Sequence, residues 1–331
     1  MHPTQLQFVR SVCALFAMTL LFGAANSVRA QTYAVVHEFG ATGDGGYPRS
    51  VLIESSGVLY GTTYLGGSGG YGTVFSCDPG TGVEAVIASF PGGTGTGQQP
   101  FAGLTSVGSE LYGTTIESEF GTVFSMTTSG PADEIYAFQG PPNDGLSPAS
   151  TMVYWTSADY GTGLFGLTEG SSSPYAGTVF YCSTSGDETS VHSFPSFVGD
   201  GESPGLGNLV VANNGVLYGT TTAGGASGYG TVFSITPADP AVYAIVYSFT
   251  GAEAYPQSLM QASNGNFYGT YNAPGDGGIF KMTSAGAVTI LHTFAGGASD
   301  GSNPWGPLIE ATDGKLYGTT GGGGSADEGT I

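Results

Sequence analysis

Basic residues are almost missing from this 331-residue chain, which carries five lysines and arginines against 25 aspartates and glutamates. Beyond residue 30 only Arg49, Lys281 and Lys315 remain, so that part holds three bases against 25 acids, a formal balance of −22. A surface of that sign repels polyphosphates and anionic lipids, which excludes nucleic acid and acidic membranes as partners and leaves cations or basic proteins. Solubility outside the cell is the plainer use of the same charge.

Long apolar runs are confined to the start. Residues 12–25 form one, preceded by Arg10 and followed by Val28-Arg29-Ala30, a small-residue cleavage pattern. The run is too short to cross a hydrocarbon core that needs about 20 residues, so residues 1–30 read as a secretory signal, with an uncleaved anchor as the alternative. The mature part, residues 31–331, is then a single repeat domain that is secreted, at the cell surface or in the periplasm, with no membrane span.

Signatures of catalysis are lacking as well. There is no metal-ligand spacing, nucleophile elbow or phosphate loop. The glycine-rich stretches do not lead into helices, so they lack the helix N-terminus that cradles phosphate.

What the chain has in excess is glycine, 59 residues, together with 38 phenylalanines and tyrosines that disordered sequences do not carry. These fall into a repeat. Leu59-Tyr60-Gly61-Thr62-Thr63 returns at 111–115, 217–221 and 316–320, with degenerate copies at 164–168 and 267–271. Gly72-Thr73-Val74-Phe75 returns at Gly121, Gly177 and Gly230, altered at Gly278 and clipped at Gly329. A closing phenylalanine keeps the same phase at Phe39, Phe90, Phe138, Phe194, Phe249 and Phe294, each followed by a proline. Six units of about 50 residues cover the mature chain.

Each unit reads as four strands, enriched in Val, Tyr, Phe and Thr between turn residues; in the first they run over 50–54, 58–63, 72–77 and 83–90. Ser56-Gly57, Asn214-Gly215, Asn264-Gly265 and Asp313-Gly314 suit the positive φ of tight hairpins, so each unit is an antiparallel meander. Apolar residues occupy both faces of these strands, and radial stacking of like sheets covers both. The expected fold is all-β, a six-bladed β-propeller of four-stranded antiparallel blades closed by an N-terminal strand over residues 33–39.

The paired motifs Leu-Tyr-Gly-Thr-Thr and Gly-Thr-Val-Phe, joined by glycine-rich stretches such as Gly66-Gly67-Ser68-Gly69-Gly70, resemble the GloVer tandem repeat of bacterial surface proteins over nearly all of residues 33–331. That resemblance implies an exported repeat protein of the kind that carries varied C-terminal sorting anchors. It implies no defined activity, and no anchor is visible in the sequence.

His37, His192 and His292 each stand two residues before a closing phenylalanine, where other units place Ala88, Tyr136 and Tyr247. They read as repeat positions rather than ligands, because equivalent positions in separate blades are held apart. Cys77 and Cys182 share one repeat position with Met126, Ile235 and Met282, so they read as packing residues. Their units are not adjacent, which keeps them beyond the ~7 Å Cα separation of a disulfide although export would favour pairing. The longer connection around residues 155–163 of the third unit reads as a tolerated surface insertion.

Asp44, Asp144, Asp200 and Asp300 each open an Asp-Gly-x-x-Pro link between the fourth strand and the next unit. In a meander that link lies at the same end as the second-to-third loop, which carries Tyr71, Phe120, Tyr175 and Tyr229. The eight residues form the candidate binding face. Aromatic rings beside acids suit sugars, and carboxylates suit calcium, although Asp-Gly is also turn chemistry in its own right. No other cofactor is identified. The expected role is a non-enzymatic binding or interaction module for a glycan or protein outside the cell; the alternatives are a glycan-active lyase or hydrolase and a structural surface array.

Overall fold

The computed structural model describes residues 35–331 except 42, 94–96, 118, 143, 171–174, 196–198, 206, 239 and 274. Residues 1–30, read from the sequence as a signal, and Tyr33, at the start of the expected N-terminal strand, lie outside the described residues. Residues Val36–Ile331 make one unit. Within it the period-two strands of each repeat pair in chain order. In the first blade Gly45–Pro48 and Ile53–Ser55 both pair with Val58–Gly66, which pairs with Thr73–Cys77, and that with Glu84–Ser89. The second runs through Thr105–Val107, Glu110–Thr115, Thr122–Thr127 and Asp133–Ala137. The third uses Val153–Ser157, Gly161–Glu169, Tyr175–Cys182 and Glu188–Pro195. The fourth uses Val210–Val211, Leu217–Thr221, Thr231–Thr236 and Val242–Ser248, and the fifth Ala254–Gln261, Phe267–Ala273, Gly278–Met282 and Val288–Thr293.

The blades number five, not six. The sixth unit keeps its motifs but forms only two-stranded ladders, Ile309–Glu310 with Leu316–Tyr317 and Gly301–Ser302 with Gly322–Gly323. Its third-strand motif spans residues 329–331 and joins the second through the Thr320 N to Thr330 O bond. The closing strand is also absent: the described residues from 35 to 40 carry no strand pairing. Phe39 instead sets its ring edge-on against Phe75 of the first blade, 5.0 Å between centroids.

That ring contact recurs at every seam, and it explains why both faces of each sheet are apolar. Phe90 meets Phe124, Phe138 meets Phe180, Phe194 meets Phe233 and Phe249 meets Phe280, all near 5 Å and T-shaped. Alternate residues of one strand then serve opposite neighbours. Leu111, Phe124 and Met126 pack back onto Tyr60, Val74 and Phe90 of blade one, whereas Tyr112 and Val123 pack forward onto Leu164 and Phe180 of blade three.

The remaining motif letters follow from the same packing. The motif glycine sits under the cross-strand phenylalanine; a Cβ at Gly219 would lie 2.5 Å from Phe233 Cζ, with Gly113 and Gly166 alike. The last threonine of one strand and the first of the next share a buried hydrogen bond, as in Thr63–Thr73, Thr115–Thr122, Thr168–Thr178, Thr221–Thr231 and Thr320–Thr330 at 2.8–2.9 Å. The fifth unit replaces the pair with Tyr271 and Gly278, and the phenol occupies the space a side chain at 278 would need. Thr221 donates to Ala223 O and accepts from Thr231 N, so Thr221→Val leaves the buried N–H of Thr231 without its partner. The expected loss is about 1 kcal/mol, read from the urea midpoint; an unchanged midpoint would show that the pair is ornamental.

Two lesser expectations resolve here. Cys77 and Cys182 are buried free thiols, and burial pushes the Cys182 thiol up to about 12. The stretch 155–163 is not a loop but a lengthened hairpin, with Trp155 opposite Gly163 and packed on Phe165. Among the described residues no helix is long and apolar enough to cross a membrane.

Candidate functional site

The link and the second-to-third loop do lie at one end of the sheets. Tyr71 O accepts from Gln99 N, Phe120 O from Ser147 N and Tyr229 O from Tyr255 N at 2.8–3.0 Å, and beside Tyr175 the carbonyl of Ala176 accepts from Ser203 N. The donor in each case is the residue before the link proline, and Gln99, Ser147, Ser203 and Tyr255 all hold φ between 49° and 57°. A left-handed residue ahead of proline is uncommon, and the hydrogen bond to the loop offsets its cost. From the other side, Asp44 O receives Gly67 N and Asp200 O receives Gly225 N, so each glycine-rich loop is clasped by the links before and after it. Tyr71, Phe120, Tyr175 and Tyr229 remain 37–40% exposed on this face. Each ring is brought to a link; the four are not brought to one another.

The aspartates turn away from that face. The Asp144 carboxylate takes the N–H of Gly145 at 2.6 Å, the N–H of Gln139 at 2.7 Å and the hydroxyl of Tyr136 at 2.7 Å. Asp44 is held likewise by Gly45 N, Gly40 N and His37, and Asp300 by Gly301 N, Ala295 N and His292. Asp200 takes Gly201 N. The carboxylates of Asp44, Asp144 and Asp300 thus close the turn after a closing phenylalanine and fix the ring two residues before it, whereas His192 Nε2 has no such partner. Burial alone would raise the Asp44 carboxyl, but Gly40, Gly45 and His37 outweigh it and hold it below the usual carboxylate range. The four aspartates do not converge, so the link carboxylates are not a ring of ligands.

The seams bring in residues that the motif reading passed over. Where the donor ring is Tyr247, Glu253 takes the place of the aspartate, at 2.7 Å. Where the position is Ala88, the link has Gln98-Gln99 and no acid. The pairing of ring with acid is therefore written in the sequence. What is not written is the third group, supplied across the seam by the start of the next fourth strand: Glu84, Glu188, Tyr243 or Val288, each opposite the packing residue Cys77, Cys182, Ile235 or Met282.

These third groups set the electrostatics of each seam. Burial, then the Asp144 charge, pushes Glu188 up to about 7. Glu84 is raised for the same reasons, burial first and Asp44 second. At the next seam His192 stacks on Tyr243 at 4.1 Å, and burial lowers the imidazole. His37, Asp44 and Glu84 place one ligand atom each within 4.8 Å of the others. Beside the sixth unit an open cavity of about 800 Å³ is lined by Asp276, Ser302, Asn303, Ser325 and Asp327 among others, with Asp276 at the repeat position of Tyr71.

No curated protein matches the chain significantly. Among solved structures, virginiamycin B lyase from Staphylococcus aureus is similar at 11% identity and TM-score 0.55, over 82% of this chain and 77% of that one. Putative 6-phosphogluconolactonases from Bacteroides uniformis and Bacteroides fragilis follow at 16% identity, with TM-scores of 0.52 and 0.51 and coverage of 84% and 82% of this chain, 79% and 77% of theirs. At such identity the likeness speaks for the propeller fold alone. The profile of the Gloeobacter/Verrucomicrobia repeat matches residues 20–163 and again 96–276, which takes in the first four blades and the first half of the fifth. The chain belongs to the Gloeobacter/Verrucomicrobia repeat family.

Proposed function

We propose that the protein is an exported binding module that holds a glycan, or a glycan-bearing protein, against the loop face of its blades. The observation that carries this reading is the set of four rings, Tyr71, Phe120 and Tyr229 at one repeat position and Tyr175 one residue before it, all exposed to nearly the same extent. Core aromatics of this chain are almost wholly buried, so rings left open beside hydrogen-bonding backbone fit the flat apolar faces of pyranose sugars. The strongly acidic balance agrees with a role outside the cell. A propeller scaffold serves enzymes as readily as binders, so turnover is watched in the same experiment.

The test is a glycan array probed with residues 31–331, with and without calcium. Binding is expected, and Tyr175→Ala with Tyr229→Ala weakens it by at least about tenfold. Both rings lie on the surface, so circular dichroism should match that of the parent. Undiminished binding in the variant with all four rings replaced would remove the reading, and release of a cleaved glycan would make the protein an enzyme.

A further inference from the structure

We propose that His37, Asp44 and Glu84 form a binding site for one divalent transition ion of the zinc class, which fastens the N-terminal segment to the outer strand of the first blade.

The three groups come from two directions. His37 and Asp44 belong to the segment that precedes the first blade, and Glu84 opens the Glu84–Ser89 strand opposite Cys77. His37 Nε2 stands 3.2 Å from Asp44 Oδ2, and the Glu84 ligand atom lies within 4.8 Å of both. Zinc binds imidazole nitrogen and carboxylate oxygen at about 2.0–2.2 Å, which sets neighbouring ligand atoms roughly 3–3.5 Å apart. The first pair already has that spacing, and the Glu84 oxygen stands within 4.8 Å of both.

A second observation points to the same place. Glu84 Oε1 is shut off from solvent and has no hydrogen-bond partner. A shielded carboxylate oxygen facing a second carboxylate is costly unless a cation or proton stands between them. The Asp44 side chain is only 6% exposed, so bulk counterions do not screen the pair.

The other seams serve as internal comparisons. The second-to-third seam has both acids, Asp144 and Glu188, but a phenol, Tyr136, in place of the imidazole. The third-to-fourth has His192 and Asp200 but Tyr243 as its third group, and the fourth-to-fifth has Tyr247, Glu253 and the apolar Val288. His292 and Asp300 meet without a third ligand among the described residues. Among the described residues only the first seam joins an imidazole to two carboxylates, a nitrogen–oxygen set that suits zinc better than the all-oxygen shell calcium prefers.

The experiment is calorimetric titration of the metal-stripped protein, residues 31–331, with zinc chloride and separately with calcium chloride, followed by thermal melts. One zinc per chain is expected, with a melting temperature raised by a few degrees. Glu84→Gln and His37→Ala each weaken zinc at least about tenfold, whereas His292→Ala and Cys77→Ser leave it unchanged. Glu84→Gln should also melt no lower than the metal-free parent, because it removes an uncompensated buried charge, and this separates loss of a ligand from loss of the fold. Absence of stoichiometric zinc, zinc affinity untouched by both substitutions, affinity abolished by Cys77→Ser, or calcium bound in preference to zinc would each overturn the site.

Discussion

Phe233→Ala lowers the stability of the protein by about 3–5 kcal/mol, read as a fall in the urea midpoint at unchanged slope. Phe233 has no exposed surface, and its ring is boxed by Phe194 at 5.3 Å, by Tyr243 at 5.8 Å and by the bare backbone of Gly219 beneath it. Blades three and four both lean on this one side chain, alongside Leu209, Leu217 and Ile235. Truncation leaves a hole that neither sheet can fill without giving up its own ladder, which places the cost at the upper end for a core aromatic. A loss below about 1 kcal/mol would mean that the seam is plastic and that the ring contacts do not hold neighbouring blades together.

The second large effect is a gain, and it depends on pH. Glu188 is raised from 4.5 to about 7, with burial the leading cause and the Asp144 charge the next. Between those two values the folded chain holds a proton that the unfolded chain has released, so stability falls as pH climbs through that window and stays low above it. Glu188→Gln keeps the shape and removes the charge. At pH 8 it should stabilise the protein by about 2 kcal/mol, less than the roughly 3 kcal/mol of the full shift because the group is not wholly buried. At pH 4.5 parent and variant should unfold together. Equal midpoints at pH 8 would show that the seam admits enough water to hydrate the carboxylate.

Much of this architecture was legible in the chain. The strand limits in the first unit follow the expected ones to within a few residues, because threonine, valine and phenylalanine alternate there at the period of a strand and Gly57 marks the hairpin. The blade count was not legible. A motif counts residues, whereas a blade needs hydrogen-bonded partners, and of the motif at 316–320 only Leu316 and Tyr317 pair as a strand.

The loop face followed from meander connectivity, which sets the link beside the loop whatever the side chains do. The direction of each aspartate did not follow, because it is decided by nearby N–H groups such as Gly40 N and Gln139 N that no pattern of side chains reveals. A signal was nonetheless present: the acid disappears from the link in the one unit whose ring position is Ala88, and becomes Glu253 where the ring is Tyr247. Glu84 and Glu188 carried none, since they join their partners only across a seam.

The one-way hand-over of rings, with Phe90, Phe138, Phe194 and Phe249 each completed by the sheet that follows, means that each of the first four blades brings half of a joint and finds the other half already present in its successor. A duplicated unit of this kind would meet both of its neighbours through contacts the other blades already make.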